Sequence, residues 1–442
     1  MKILVVTVGG SCAPIVTSIE QNAPNKVIFI CSGDDKITGN KGSYVSVEGA
    51  GNVCGRDFKN PDKPNIVKQT ELSSENYEVH KLEHYDDHNE CYKFCFSLLR
   101  QLQKEHNNAE IIADYTGGTK SMTVGLVTAA SDIGDIIIAI VKGDRSNLVK
   151  VDDGTERVSL SRTNYSTITK QVQMVDNFIN SFDYASAQTI LKTVFNTTKD
   201  IPNDLDNILQ TYYSVAKIFD AWDKFNHEKA YKLLRPMRKK YPDYALFLAA
   251  VISSRATIDN KFKVEGLEDF KPLKKISGYE IVEDLIFNAQ RRANQERYDD
   301  AIARLYRSLE LFVQIYLLKT YQIETSNVVI GDLPETIKEY YTNKQDSKGK
   351  IKLGLMESYE LLAKLNDTIV APSFTANKTK LLTSLGLRNF SILAHGFAPI
   401  SKDNYNTVFK DIAENFLHPL LNYFAESRNN ITPQQFPTSV TI

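Results

Sequence analysis

The sequence predicts an α/β N-terminal domain with a parallel sheet, followed by an all-helical region. Short β-branched runs alternate with helical segments over roughly the first 155 residues, and strand signals fade from about residue 166. Beyond that point apolar residues recur at helical spacing, the mark of amphipathic helices. No uncharged apolar run approaches the roughly 20 residues of a membrane span, so the chain reads as soluble, with no membrane partner.

Strands are expected at 3–8, 26–31, 111–114 and 136–141. Each is a continuous apolar run, the pattern of a parallel sheet buried on both faces. The opening Lys2-Ile3-Leu4-Val5-Val6 meets glycine within ten residues; it is too short for a signal peptide and reads as the first buried strand. Segment 32–75 carries Gly39, Gly42, Gly49, Gly51 and Gly55 and reads as a long, partly flexible connection at the ligand end of the sheet. Helical periodicity follows at 182–194 and 211–234, and the polar, lysine-rich stretch 256–278 suggests a boundary. Segment 281–318 predicts two amphipathic helices broken near Arg297. In the second, Ile302, Leu305, Tyr306, Leu309, Phe312, Val313 and Tyr316 form one apolar stripe. Segment 341–352 reads as a solvated loop, 381–395 as a helix, and 408–424 as a last helix kinked at Pro419.

A chain of 442 residues holds two or three domains. Its net charge of −1 means that a nucleic-acid substrate must be gripped by a local basic cleft rather than a globally positive surface. Its five cysteines all lie in the first quarter of the chain. An odd number without a secretory leader argues for reduced thiols in a cytoplasm, packed as small buried hydrophobes.

Two segments repeat one design of buried strand, glycine-rich loop and helix. The first is Val5-Val6-Thr7-Val8-Gly9-Gly10-Ser11; the second is Ile111-Ile112-Ala113-Asp114, then Thr116-Gly117-Gly118-Thr119-Lys120. Paired glycines bring backbone N–H groups close to a ligand, and a helix N-terminus favours an anion there. Thr116 and Thr119 add hydroxyl donors and Lys120 a mobile positive charge. Both loops follow the carboxyl ends of strands, where open α/β sheets bind ligands. Neither is a P-loop or a dinucleotide fingerprint, so the residues themselves say only that this is an anion site.

The run Asp114-Tyr115-Thr116-Gly117-Gly118-Thr119-Lys120-Ser121-Met122 resembles the signature of CARF domains (CRISPR-associated Rossmann fold). The Gly9-Gly10-Ser11 loop and the strand end at Cys31-Ser32 fit the same family's ligand edge. The resemblance implies a dimeric Rossmann-like domain that binds a ring-shaped cyclic oligoadenylate as an allosteric activator. Gly9, Gly10, Ser11, Ser32, Thr116, Gly117, Gly118, Thr119 and Lys120 would line its site. A two-fold dimer offers each loop twice, matching a ligand with repeated phosphates.

The C-terminal part holds Arg388-Asn389-Phe390-Ser391-Ile392-Leu393-Ala394-His395-Gly396. On a continuous helix, a spacing of seven puts Arg388 and His395 on one face about 10 Å apart along the axis. Gly396 would stop that helix and leave His395 in its last turn, where the dipole favours imidazolium. An arginine suits a phosphate and a histidine suits proton transfer. The pair resembles the Arg-x4–6-His motif of HEPN ribonucleases, in which Asn often follows the arginine, as Asn389 does here.

Together the resemblances identify the chain as similar to the CARF–HEPN ribonucleases that accompany type III CRISPR systems. They imply a CARF-like domain at 1–155, a helical connecting region at 156–275 and a HEPN domain at 276–442. The implied protein is a homodimer in the cytoplasm that cuts single-stranded RNA without a metal or other cofactor and without stable DNA binding. Arg388, Asn389 and His395 would be its catalytic residues. Two other readings stay open: a ligand-responsive regulator that binds RNA or a partner without cutting, and a CARF domain that also degrades its activator. His80, His84 and His88 step by four but read as a strand end and a helix N-cap cluster rather than a zinc site. The five arginines between Asn288 and Arg307 sit among acids and read as a solvated, salt-bridged face.

Overall fold

The computed structural model describes residues 1–55, 57, 60–144, 155–258, 270–347, 349–428 and 430–441. Among these the chain divides into two compact units, 1–173 with 191–209, and 174–190 with 210–442.

The first unit is a six-stranded sheet in the order β3-β2-β1-β4-β5-β6. Its strands are β1 (Lys2–Val8), β2 (Lys26–Ser32), β3 (Tyr77–Leu82), β4 (Glu110–Asp114), β5 (Ile137–Lys142) and β6 (Arg157–Arg162). All neighbours pair in parallel except β5 and β6. Continuous apolar runs form the central strands because both faces are covered. On one face Ile3, Val5, Ile28, Ile30, Ile111 and Ala113 meet Cys95, Leu99 and Leu126 from helices α2 (His88–Glu105) and α3 (Lys120–Ile133). On the other, Leu4, Val6, Val27, Phe29 and Ile112 meet Ile15 and Ile19 of α1 (Ala13–Asn22). Each valine, leucine, isoleucine or phenylalanine among them contributes about 1.5–3 kcal/mol of burial.

Two expectations are corrected here. β6 pairs with β5 along its whole length, so the sheet does not end at residue 155; the polar edge sequence Arg157-Val158-Ser159-Leu160-Ser161-Arg162 hides the strand, since edge strands carry charge. The 32–75 connection is largely packed rather than flexible. It contains helical turns at Val45–Glu48 and Ile66–Gln69, and Val47, Cys54 and Ile66 enter the core. All five cysteines are buried, as small hydrophobes should be, and the Cys12 and Cys54 thiols lie 2.8 Å apart.

The chain continues through α4 (Asn164–Asn180), α5 (Tyr184–Thr197), α6 (Asn203–Asp223), α7 (His227–Leu234) and α8 (Pro242–Ile258). Of the lysine-rich boundary stretch 256–278, residues 259–269 lie outside the described residues. Next come α9 (Glu280–Asn294), α10 (Tyr298–Tyr321), α11 (Glu335–Thr342), α12 (Leu355–Lys364), α13 (Val370–Asn389) and α14 (Lys402–Phe409). A π-helix at Lys410–Leu417 leads into α15 (His418–Ala425). The break expected at Pro419 is therefore a widening of the preceding turns, which makes room for a residue that lacks an N–H and crowds the carbonyl behind it.

The arginine cluster is not a solvated face. Arg291 is fully buried, donates from Nε to Asp223 at 2.8 Å and from Nη1 to Gln435 at 2.8 Å, and stacks on Phe436. Arg292 also binds Asp223, and Arg304 binds Asn288. Asp284 accepts from Trp222 and meets His227, each at 3.1 Å. Only Arg297 and Arg307 of the five are exposed.

Candidate functional site

β1 and β4 are neighbours at the point where the strand order reverses, and the two glycine loops follow their carboxyl ends. The loops pack backbone against backbone. A Cβ on Gly9 would stand 2.8 Å from the Gly118 nitrogen, and one on Gly117 would stand 2.7 Å from the Thr7 oxygen. Gly118 also has φ +93°, a conformation that favours glycine. The Thr7 hydroxyl locks the pair by donating to the Gly117 carbonyl at 2.6 Å. Under the loop, buried Asp114 accepts from the Ser18 hydroxyl and from the Thr116 N–H at 2.8 Å. Burial pushes its carboxyl pKa up, against these hydrogen bonds.

The threonine hydroxyls expected to meet a ligand are used within the fold. Thr116 Oγ1 accepts from the Val141 N–H at 2.8 Å. Thr119 Oγ1 caps α3 by accepting from Met122 and donates to the Tyr85 carbonyl. Ser32 is buried and exchanges hydrogen bonds of 2.9 Å with Ser43, so it anchors the connecting loop. Lys120 and Gly10 are exposed, and Gly9, Ser11, Gly117 and Gly118 partly so. No hydrogen bond among the described residues uses the N–H groups of Gly10, Ser11, Gly117 or Gly118. What remains at this edge is a set of backbone donors at two helix N-termini beside one lysine, which suits an anion.

In the second unit α13 ends at Asn389, six residues before the expected stop. The chain then folds into a tight turn closed by a bridge between Ser391 and Ala398. The His395 N–H donates to the Asn389 carbonyl at 3.1 Å and the Gly396 N–H to the Ser391 carbonyl at 3.0 Å. Gly396 is a close-approach glycine and not a helix stop: a Cβ there would lie 1.8 Å from the Phe390 oxygen. The turn thus brings exposed His395 back to the helix end that bears Arg388 and Asn389, without the shared helical face or dipole expected of it. Arg388 Nη1 donates to Asn389 Oδ1 at 3.1 Å. Its guanidinium lies 4.6 Å from the centre of the Tyr306 ring. Phe390, Ile392, Leu393 and Phe397 surround the turn with exposed apolar surface.

The family model described as "Csm6 HEPN domain" matches residues 272–418, a span that includes Arg388, Asn389 and His395. This span is thus similar to a Csm6-type HEPN domain. Among solved structures, "Enterococcus italicus Csm6 bound to cyclic hexa-2'-fluoro-hexa-dAMP" aligns over 97% of this chain and 96% of its own, with TM-score 0.60 and 13% identity. That likeness establishes the fold. A second, Can2 from Sulfobacillus thermosulfidooxidans in complex with cyclic tetra-adenylate, covers 74% of this chain and 72% of its own at 13% identity, but its TM-score of 0.22 carries no structural weight. No curated protein sequence matches significantly. In overall fold the chain is similar to that Csm6 structure, and in residues 272–418 it is similar to the Csm6 HEPN domain.

The surroundings of Arg388 include one residue that sequence reasoning assigned elsewhere. Tyr306 was expected in the apolar core stripe of α10, yet it is only half-buried and lies under Arg388. His80 meets Glu78, while Asp87 caps α2 through the N–H groups of Asn89 and Glu90, so the N-cap reading of that stretch holds. No helix among the described residues is long and apolar enough to cross a membrane.

Proposed function

We propose that this chain is a homodimeric endoribonuclease that cuts single-stranded RNA when a cyclic oligoadenylate occupies the edge formed by the two glycine loops. The observation that carries the reading is the HEPN turn, which joins Arg388, Asn389 and His395 and rings them with exposed apolar side chains. Two copies meeting there would cover that surface and bring both sets of catalytic groups into one cleft.

The chemistry needs only protein groups and the substrate. The ribose 2′-hydroxyl attacks the adjacent phosphorus, forming a 2′,3′-cyclic phosphate and expelling the 5′-oxygen of the next nucleotide. His395 exchanges the proton, and Arg388 carries the charge that develops on the phosphorane. Asn389 fixes the guanidinium. DNA is spared because it lacks the nucleophile. At the other end Lys120 and the free N–H groups of Gly10, Ser11, Gly117 and Gly118 contact activator phosphates, with Gly9 shaping the loop and Thr116, Thr119 and Ser32 supporting it. The relative whose structure holds a cyclic hexanucleotide shares this fold.

The test is to incubate the protein with labelled RNA and cyclic tri-, tetra- or hexa-adenylate, with EDTA present, and to follow both nucleic acids. RNA cleavage that vanishes in Arg388→Ala and His395→Ala, with ring binding retained, supports the assignment. Wild-type cleavage by either variant refutes it. Absence of RNA cleavage with every ring would favour a regulator, and loss of the ring itself would add activator degradation.

A further inference from the structure

We infer that Tyr306 is the positioning residue for Arg388, holding the guanidinium in place without neutralising it. The inference rests on the ribonuclease reading above and adds to it the group that orients the arginine.

Arginine reaches its target on a long, flexible side chain, whereas a group that stabilises a transition state must be held within about 0.5 Å of its working position. Arg388 is fixed from two directions. Asn389 Oδ1 takes Nη1 from the side at 3.1 Å, and the Tyr306 ring lies beneath at 4.6 Å, inside the roughly 6 Å reach of a cation–π contact. Nε and Nη2 have no partner among the described residues, and no carboxylate there pairs with Arg388. The nearest acid along the tyrosine's own helix, Glu310, is engaged by Arg307 at 3.2 Å.

That division of partners has a chemical sense. A carboxylate beneath Arg388 would hold it equally well, but would satisfy the charge that the phosphorane needs. An aromatic face attracts the cation through its quadrupole and leaves the N–H edge free. Tyr306 is half-buried on α10, and burial, then Glu310, push its hydroxyl pKa up against the pull of Arg388. The ring is therefore set by α10, and Arg388 by α13, so the site depends on these two helices keeping their spacing.

The experiment compares Tyr306→Phe, Tyr306→Leu and Tyr306→Met with wild type and Arg388→Ala. RNA cleavage is measured at saturating cyclic tetra- or hexa-adenylate, separating kcat from KM, with thermal melts to establish folding. Tyr306→Phe keeps the ring and should cut within about twofold of wild type. The ringless variants should lose about tenfold in kcat with KM nearly unchanged, the fold-change that corresponds to about 1.4 kcal/mol. A space-filling role would leave leucine or methionine equal to phenylalanine; equal kcat in the phenylalanine variant and either folded ringless variant overturns the inference. So does a phenylalanine variant as slow as leucine. If Arg388→Ala itself cuts like wild type, the active-site reading fails first, and that outcome is distinct from the others.

Discussion

Asp367 anchors the helix that carries Arg388, and its replacement offers a quantitative probe of that helix. Asp367 Oδ1 accepts from the N–H groups of Ile369, Val370 and Ala371 at 3.2, 2.6 and 2.9 Å. Oδ2 accepts from the hydroxyls of Tyr316 and Tyr321 at 2.6 and 2.9 Å. Loss of a helix cap costs about 1 kcal/mol, and each hydroxyl stranded without its charged acceptor adds about 1–3 kcal/mol. Tyr316 is buried and Tyr321 only partly so, which places Asp367→Ala on the order of 3–4 kcal/mol below wild type. Asp367→Asn keeps an acceptor at the cap and should lose about half of that. Burial raises the Asp367 pKa, but hydrogen bonds from Tyr316, Ala371, Tyr321 and Val370 outweigh it and leave the folded value below 3.8. The sign follows: the ionised form's contribution is complete above the unfolded value near 3.9 and is lost as pH falls through the lower, folded value. Urea unfolding followed by circular dichroism at pH 7 and pH 3 measures both effects. A destabilisation below about 0.5 kcal/mol in Asp367→Ala would show that these hydrogen bonds do not hold the helix.

Three further outcomes are expected. Lys120→Ala should raise the cyclic oligoadenylate concentration needed for half-maximal RNA cleavage while leaving the maximal rate unchanged; an unaltered activation curve removes Lys120 from the site. Glu283 is paired with Arg428 at 2.5 Å, yet burial raises its pKa from 4.5 to about 7. Its folded form holds the proton more tightly, so its contribution is full below pH 4.5 and declines as pH rises through about 7. The decline amounts to about 3 kcal/mol and should disappear in Glu283→Gln, as pH-dependent urea midpoints would reveal. Phe397→Asp puts a charge on the exposed turn and should shift the chain toward monomer in sedimentation velocity; an unchanged sedimentation coefficient at matched concentrations counts against pairing through that turn.

Local chemistry made the sheet legible, and distance hid the rest. Strand, glycine loop and helix at 111–133 are consecutive, so their pattern survives in the sequence. The uses of the Thr116 and Thr119 hydroxyls are not consecutive: their partners Val141 and Tyr85 lie 25 and 34 residues away, so hydroxyls that look free in the sequence support the loop. The arginines at 291, 292 and 304 were surrounded in sequence by acids, but two of them bind Asp223, nearly 70 residues earlier. A buried, hydrogen-bonded ion network and a solvated one have the same composition. Arg388 and His395 stand out by type and spacing, while the end of the helix at Asn389 does not. The decisive feature was the contact of Gly396 with the Phe390 carbonyl, a property of three-dimensional closure. Tyr306 carried no distinguishing signal, since Tyr316 stands in the same stripe and is buried.

The exposed apolar turn also constrains how two copies would meet. Phe390 is 76% exposed, Ile392 53%, Leu393 59% and Phe397 92%. Burying four such side chains yields on the order of 5–8 kcal/mol, while association costs an estimated 4–15 kcal/mol. A partner that covered this turn with an unrelated polar surface would gain little. A two-fold contact in which the turn meets its own copy counts every side chain twice, roughly doubling the favourable term against the same cost. The symmetric arrangement is thus the one the turn itself would favour, and it is also the one that would set Arg388 and His395 of one copy beside those of the other. Apolar side chains at the rim would then exclude water from that cleft, where Arg388, with no carboxylate partner among the described residues, would act on the proposed phosphorane with least screening.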